Sequence, residues 1–235
     1  YIHPDHFDKN ILSVMKNDNR FIPYFDIPFQ SGDDNLIKKM NRIGSSAEYL
    51  NLVSSIRAVF PDAAIRTTFL TGFPGETEQM FSNTKAFLKE LNASWGGSFS
   101  YSKEENTPAF SMKNQVSKKI AKERSEELVK LQAECTQNYL KHFVGTVVDV
   151  LIEEVLDGED SFAIARAWLQ APEVDGSVVV RFDKEDSLSH LVKPGRFVKV
   201  RLDSVSAVDL SGILISDSLF NSSSDSEYVF APEKI

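Results

Sequence analysis

Arg66-Thr67-Thr68-Phe69-Leu70-Thr71-Gly72-Phe73-Pro74-Gly75-Glu76-Thr77 is the stretch on which the fold turns. Thr67, Thr68 and Phe69 favour extended backbone. The run then breaks at Gly72-Phe73-Pro74-Gly75, and Glu76 and Glu78 supply the acidic first turn of a helix. A strand, a tight turn and a helix in that order make the βα unit of a parallel α/β sheet. Ligands of such sheets sit outside the carboxyl ends of the strands. The 72–76 turn therefore lies where a cofactor would bind, although glycines here would equally serve the turn alone.

Similar units lie on both sides. Phe7, Ile11, Leu12 and Met15 recur at helical spacing, which predicts a helix over 5–17. An apolar, aromatic strand is expected over 21–29, ending at Gln30-Ser31-Gly32. Asp33 or Asp34 can cap a short helix over 35–41. Ser45 and Glu48 form a capping box for a helix that Pro61 ends. The strand 64–71 follows, then a helix carrying Met80, Phe87 and Leu91, then a strand over 96–101. Three βα units with short connections mean a parallel sheet with right-handed crossovers.

Residues 103–115 read as a polar loop, and Ser117 caps a long helix to about residue 143. Leu128, Leu131 and Cys135 mark its buried stripe, so Cys135 is read as a packing residue. Beyond Gly145 the pattern changes to short alternating strands at 147–152, 162–165, 178–182, 197–202 and 212–215. Turns at Asp157-Gly158, Asp175-Gly176 and Pro194-Gly195 punctuate them. Five short strands in about 70 residues suggest a small closed barrel of the OB type. From Ser216 onward the Ser- and Asp-rich chain reads as disordered.

Composition bounds the function. The 235 residues are 42% hydrophobic and 26% charged, with one cysteine. No apolar run approaches the roughly 20 residues that span a bilayer. A single thiol leaves no internal disulfide, so a cytoplasmic setting is expected. Residues 1–144 hold 18 Lys and Arg against 17 Asp and Glu, residues 145–215 hold 7 against 13, and the tail holds 1 against 4. The acidity belongs to the C-terminal third, which disfavours a polyanionic partner there. His3 and His6 lie close together but lack a further ligand at metal spacing.

The 69–77 segment resembles the strand and GFPGET turn of radical S-adenosylmethionine (SAM) methylthiotransferases. Tyr24-Phe25-Asp26-Ile27-Pro28-Phe29-Gln30-Ser31-Gly32 resembles the preceding strand of that family's barrel, and Arg42 in Met40-Asn41-Arg42 fits too. Ala165-Arg166-Ala167-Trp168-Leu169-Gln170-Ala171-Pro172-Glu173-Val174-Asp175-Gly176 is similar to a signature of the branch acting on a ribosomal protein. The resemblance implies the C-terminal half of a partial radical SAM barrel over 1–115, a connecting helix over 116–143 and a TRAM domain over 144–215. It further implies SAM as cofactor, with Gln30 and Ser31 near its ribose or amino-acid end. Gly72, Gly75 and Glu76 would shape the adenine site, and Ser100 and Tyr101 would offer backbone groups to adenine. Each also has a plainer role: Gln30 bonding its own turn, Glu76 favouring its helix, Tyr101 forming a wall. Arg166 and Asp175 would face the substrate.

The family's 4Fe–4S cluster needs a CxxxCxxC thiolate set, which one cysteine cannot supply, so this chain alone is expected to be inactive. The implied reaction methylthiolates the β-carbon of an aspartate in a small-subunit ribosomal protein, a basic partner. Alternatives are a tRNA methylthiotransferase of the same superfamily, which Gln30-Ser31-Gly32 favours, and a non-catalytic binding module.

Overall fold

The computed structural model describes residues 1–156, 161–185 and 187–215. The chain divides into two compact units, Tyr1–Thr136 and Gln137–Ile235. The turn read at Asp157-Gly158 and the tail from Ser216 lie outside the described residues. No described helix is long and apolar enough to cross a membrane.

The first unit is built on a parallel sheet in the order β1-β2-β3, formed by β1 (Tyr24–Asp26), β2 (Ala64–Thr71) and β3 (Trp95–Ser100). β2 has the bounds expected from its Thr-Phe alternation. β1 is much shorter than expected. Pro23 and Pro28 flank it, and proline has no N–H to give a sheet ladder. The strand direction persists nonetheless, because the Ile27 amide donates to the Arg66 carbonyl at 2.9 Å and the Gln30 amide to that of Thr68 at 2.8 Å.

The helix expected over 5–17 resolves into a 3₁₀ turn, Pro4–His6, and α1 (Ile11–Lys16). Asp8 takes the Asn10 amide at 2.9 Å, a local turn bond that competes with a continuous helix. α2 (Asp34–Lys39) begins at Asp33, whose carboxylate accepts the amides of Asn35 and Leu36, each at 3.0 Å. α3 (Ser46–Val59) carries the Ser45 cap and α4 (Glu78–Leu91) the Thr77 cap. One face of the sheet packs against these helices. Phe25, Ile27, Phe29, Ile65 and Phe69 meet Leu52, Ile56, Phe81, Phe87 and Leu88 in one buried cluster. Each such side chain contributes about 1.5–3 kcal/mol. Along β2 the alternate positions Arg66, Thr68 and Leu70 are only half-buried, and Phe99, in register with Leu70, is 64% exposed. Among the described residues no helix is seen to cover that second face.

α5 (Lys118–Lys141) starts in the first unit and ends in the second. The Ile120 amide donates to the Ser117 hydroxyl at 3.3 Å, as the capping pattern predicts. Cys135 is buried, and burial pushes its thiol pKa up.

The second unit is a closed barrel of β4 (Val147–Leu156), β5 (Phe162–Ala167), β6 (Val178–Arg181), β7 (Phe197–Ser206) and β8 (Asp209–Leu214). Its order is β4-β5-β6-β8-β7, with only the β6–β8 pair parallel. This is a small OB-type barrel, as the sequence suggests. Its core is the inward alternation of Val148, Val150, Ile152, Ala163, Ala165, Val178, Val180, Val200, Leu202 and Leu210.

Candidate functional site

The carboxyl ends of β1, β2 and β3 bring Gln30, Ser100 and Tyr101 to one edge. Gln30 leaves β1 with φ 68°, a left-handed conformation that a non-glycine residue adopts only under constraint. Its amide bonds Thr68 and its carbonyl takes the Leu70 amide at 2.9 Å, so its backbone belongs to the sheet. Its side chain stays half-exposed at the edge. Ser100 pairs with Thr71, and the Tyr101 amide donates to the Thr71 carbonyl at 2.8 Å. The Tyr101 ring meets Phe73 edge to face, 5.5 Å between centroids. Its hydroxyl is buried with no hydrogen-bond partner among the described residues.

Other expected site residues are committed inside the protein. Ser31 is buried, its hydroxyl 3.2 Å from that of Thr84 and accepting the Asp33 amide at 3.1 Å. The Gly75 amide donates to the Asn114 carbonyl at 2.8 Å, and Lys39 reaches the Gly75 carbonyl at 3.2 Å. Gly72 sits at φ 76°, and a Cβ there would lie 2.2 Å from the Ala121 Cβ. Glycine at 72 therefore serves both the left-handed turn and the close approach of α5.

Glu76 is the hub of the turn. Its Oε2 accepts the Gly72 amide at 2.6 Å and the Arg124 Nη1 at 2.8 Å, while Arg124 Nη2 reaches Glu78 at 3.0 Å. The Glu76 side chain is 1% exposed and that of Arg124 10%. Burial raises the Glu76 pKa, outweighing the Gly72 amide and Arg124. Arg124 is itself held above its ordinary range, its two carboxylate partners outweighing burial. The deeper burial of the carboxyl makes it the costlier partner to ionise.

Arg124 was not foreseen. The available signal was a charged residue within the stripe Ala121, Arg124, Leu128 and Cys135, all of them buried. Arg42, noted for its motif, donates to His3 Nε2 and to the Pro28 carbonyl, while His3 Nδ1 pairs with Asp5. Arg66 lies in register with Asp26 on the open face.

In the second unit Arg166 pairs with Glu153 at 2.5 Å, and Asp175 accepts the Ala171 amide at 2.9 Å. Each is thus engaged by a near neighbour. Among the described residues no group of three or more His, Cys, Asp or Glu side chains could hold a metal ion. The residues present do not fit an iron–sulfur cluster, since Cys135 is the one thiol.

Residues 2–88 match the Radical SAM superfamily and residues 144–215 the TRAM domain. A protein of Treponema denticola named "Ribosomal protein uS12 methylthiotransferase RimO" is 46% identical over 226 residues, covering 92% of this chain and 48% of the relative. A relative of the same name from Thermotoga maritima is 45% identical over 181 residues, covering 77% of this chain and 41% of its own length. The chain thus spans about half the length of the curated relatives it matches. Among solved structures, the radical SAM enzyme coproporphyrinogen III oxidase (HemN) of Escherichia coli aligns over 71% of this chain and 43% of its own. The TM-score is 0.49 and the identity 13%.

Proposed function

Because the chain belongs to the radical SAM methylthiotransferase family, we propose that it is the later barrel segment and TRAM domain of an enzyme that methylthiolates ribosomal protein uS12. The identity of 46% over 226 residues to a protein named for that activity carries the reading. The target within uS12 is the β-carbon of an aspartate, as the family resemblance implies.

Bound SAM would supply the hydrogen-abstracting chemistry of this family, while the cluster that chemistry needs has no thiolate set in this chain. The chain's own contribution is to bind and orient SAM at the edge where β1, β2 and β3 end. Gln30 would hold the ribose or amino-acid end, with Ser31 fixing its turn. Ser100 and Tyr101 would offer backbone groups to the adenine, and Gly72, Gly75 and Glu76 would shape its site through the turn. The orphaned Tyr101 hydroxyl and the strained Gln30 support this placement, since both are features that a polar ligand would satisfy or exploit. By itself the chain has too few thiolates to assemble the cluster. Anaerobic reconstitution with iron and sulfide is expected to leave it without stoichiometric 4Fe–4S absorption. A full complement of cluster iron would sink that expectation.

The TRAM domain is the docking module for the basic ribosomal protein. Net acidity over 145–215 draws a cationic partner and repels tRNA. Arg166, Arg181 and Lys199 are each paired with a carboxylate, namely Glu153, Asp203 and Asp149, which trims the local positive field that RNA needs. Titration of the chain with uS12 and with tRNA at about 0.15 M salt tests this. We expect uS12 to bind at least tenfold more tightly. Tighter binding to tRNA, weakened by Arg201→Glu, would assign the chain to the tRNA-modifying branch.

A further inference from the structure

α5 grips the turn after β2 at three successive points. The Thr71 hydroxyl donates to the Ala121 carbonyl at 2.8 Å, Gly72 lies under the Ala121 methyl, and Arg124 holds the Glu76 carboxylate. Only the last contact fixes the direction of a backbone group. The Glu76 oxygen that Arg124 binds is the oxygen that accepts the Gly72 amide, at 2.6 Å. A charge-assisted bond of that length is strong while the carboxylate stays ionised. Arg124 is 8% exposed, lies 5.3 Å from the Phe81 ring, and its Nε is buried without a hydrogen-bond partner. An apolar side chain would fill such a position at lower desolvation cost, so stability alone does not account for an arginine there.

We propose that Arg124 is a positioning residue for cofactor binding, acting through Glu76 to hold Gly72 and the 72–76 turn in the conformation that receives SAM. The proposal rests on the reading of this edge as the SAM site. The groups facing the Glu76 carboxyl are Arg124 from α5, Glu78 from α4 and the Gly72 amide. With Arg124 gone, burial and Glu78 both favour a proton on Glu76. The turn then keeps only a neutral acceptor for the Gly72 amide.

The test uses the intact chain and two readouts, SAM affinity by calorimetry and hydrogen exchange of the Gly72 amide by NMR. Arg124→Met is expected to lower SAM affinity at least tenfold and to speed Gly72 exchange at least tenfold. Arg124→Lys, which restores one charged donor, should recover part of both. Arg124→Met/Glu76→Gln, which removes the unpaired carboxylate, should fold well yet stay weak in SAM binding. That double variant keeps the test valid if the single one unfolds. Wild-type SAM affinity and Gly72 exchange in the double variant would overturn the proposal and leave Arg124 a packing residue. If the wild-type chain takes up no SAM, the cofactor reading fails, while accelerated Gly72 exchange in the variants still supports the role of Arg124 in setting the turn.

Discussion

Gly176→Ala is expected to destabilise the second unit by about 3–5 kcal/mol, a large share of the roughly 5–15 kcal/mol that holds a domain together. A Cβ at 176 would stand 1.9 Å from the Val208 carbonyl oxygen and 2.7 Å from its carbon. Both are backbone atoms in the β7–β8 turn, so no rotamer change relieves the overlap. The neighbouring bonds bring the same two segments together. The Ser177 amide donates to Asp209 at 2.7 Å, and the Leu210 amide to the Ser177 carbonyl at 2.9 Å. Moving the turn outward to admit the methyl breaks both, at about 1 kcal/mol each. It also loosens the first rungs of the parallel β6–β8 ladder. Trp168 is the one tryptophan of the second unit and packs on Phe143. Urea unfolding followed by its fluorescence in a Trp95→Phe background reads this unit by itself. A midpoint unchanged from the parent would contradict the steric account.

Arg124→Met is expected to cost the first unit about 3–5 kcal/mol at neutral pH, the usual penalty for stranding one partner of a buried ion pair. The loss should depend on pH with a definite sign. Burial already holds the Glu76 carboxyl above its ordinary range, and removing Arg124 raises it further. A carboxyl raised in the folded state contributes stability that is fully present below its unfolded pKa, about 4.3, and is lost as pH rises through the folded value. The difference between parent and variant should therefore be smallest near pH 4 and grow toward pH 7. Adding Glu76→Gln removes the stranded charge, so the double variant should regain most of the loss at pH 7 and show little of this slope. Denaturant midpoints at three pH values, read by Trp95 fluorescence, check it. A loss independent of pH would mean that packing against Phe81, not charge, sets the cost.

Where local chemistry decides the backbone, the sequence was legible. β2 was foreseen from end to end because its alternation is bounded by Pro61 and by Gly72-Phe73-Pro74-Gly75. The caps at Asp33, Ser45 and Ser117 follow from single side chains with one good use. Strand ends were harder. β4 and β7 run four residues past their expected limits, across register shifts at Ile152/Glu154 and Leu202/Ser204. There the exposed Glu154 and Ser204 keep the ladder while Glu153 and Asp203 stand in the register shifts, and none of the four adds apolar signal. The candidate site was legible only as a set of chain exits. That Gln30, Gly72 and Tyr101 share an edge follows from parallel pairing. That Glu76 turns inward does not, because its partner is 48 residues away on α5. The burial of Ser31 is illegible for the same reason, since its hydroxyl meets that of Thr84, 53 residues on.

The barrel closes by pairing β4 with β7, Val147 opposite Arg201 and Leu151 opposite Phe197. During synthesis β4 can find β5 almost at once, but β7 lies about fifty residues downstream, several seconds at 5–20 residues per second. Through that interval Val148 and Val150, fully covered in the finished barrel, sit on a strand whose second edge has no mate. The nascent chain therefore carries a sticky edge until β7 emerges. A pause in translation between residues 170 and 195 would prolong that exposure, which makes the speed of decoding over this stretch a determinant of how much chain reaches the native state.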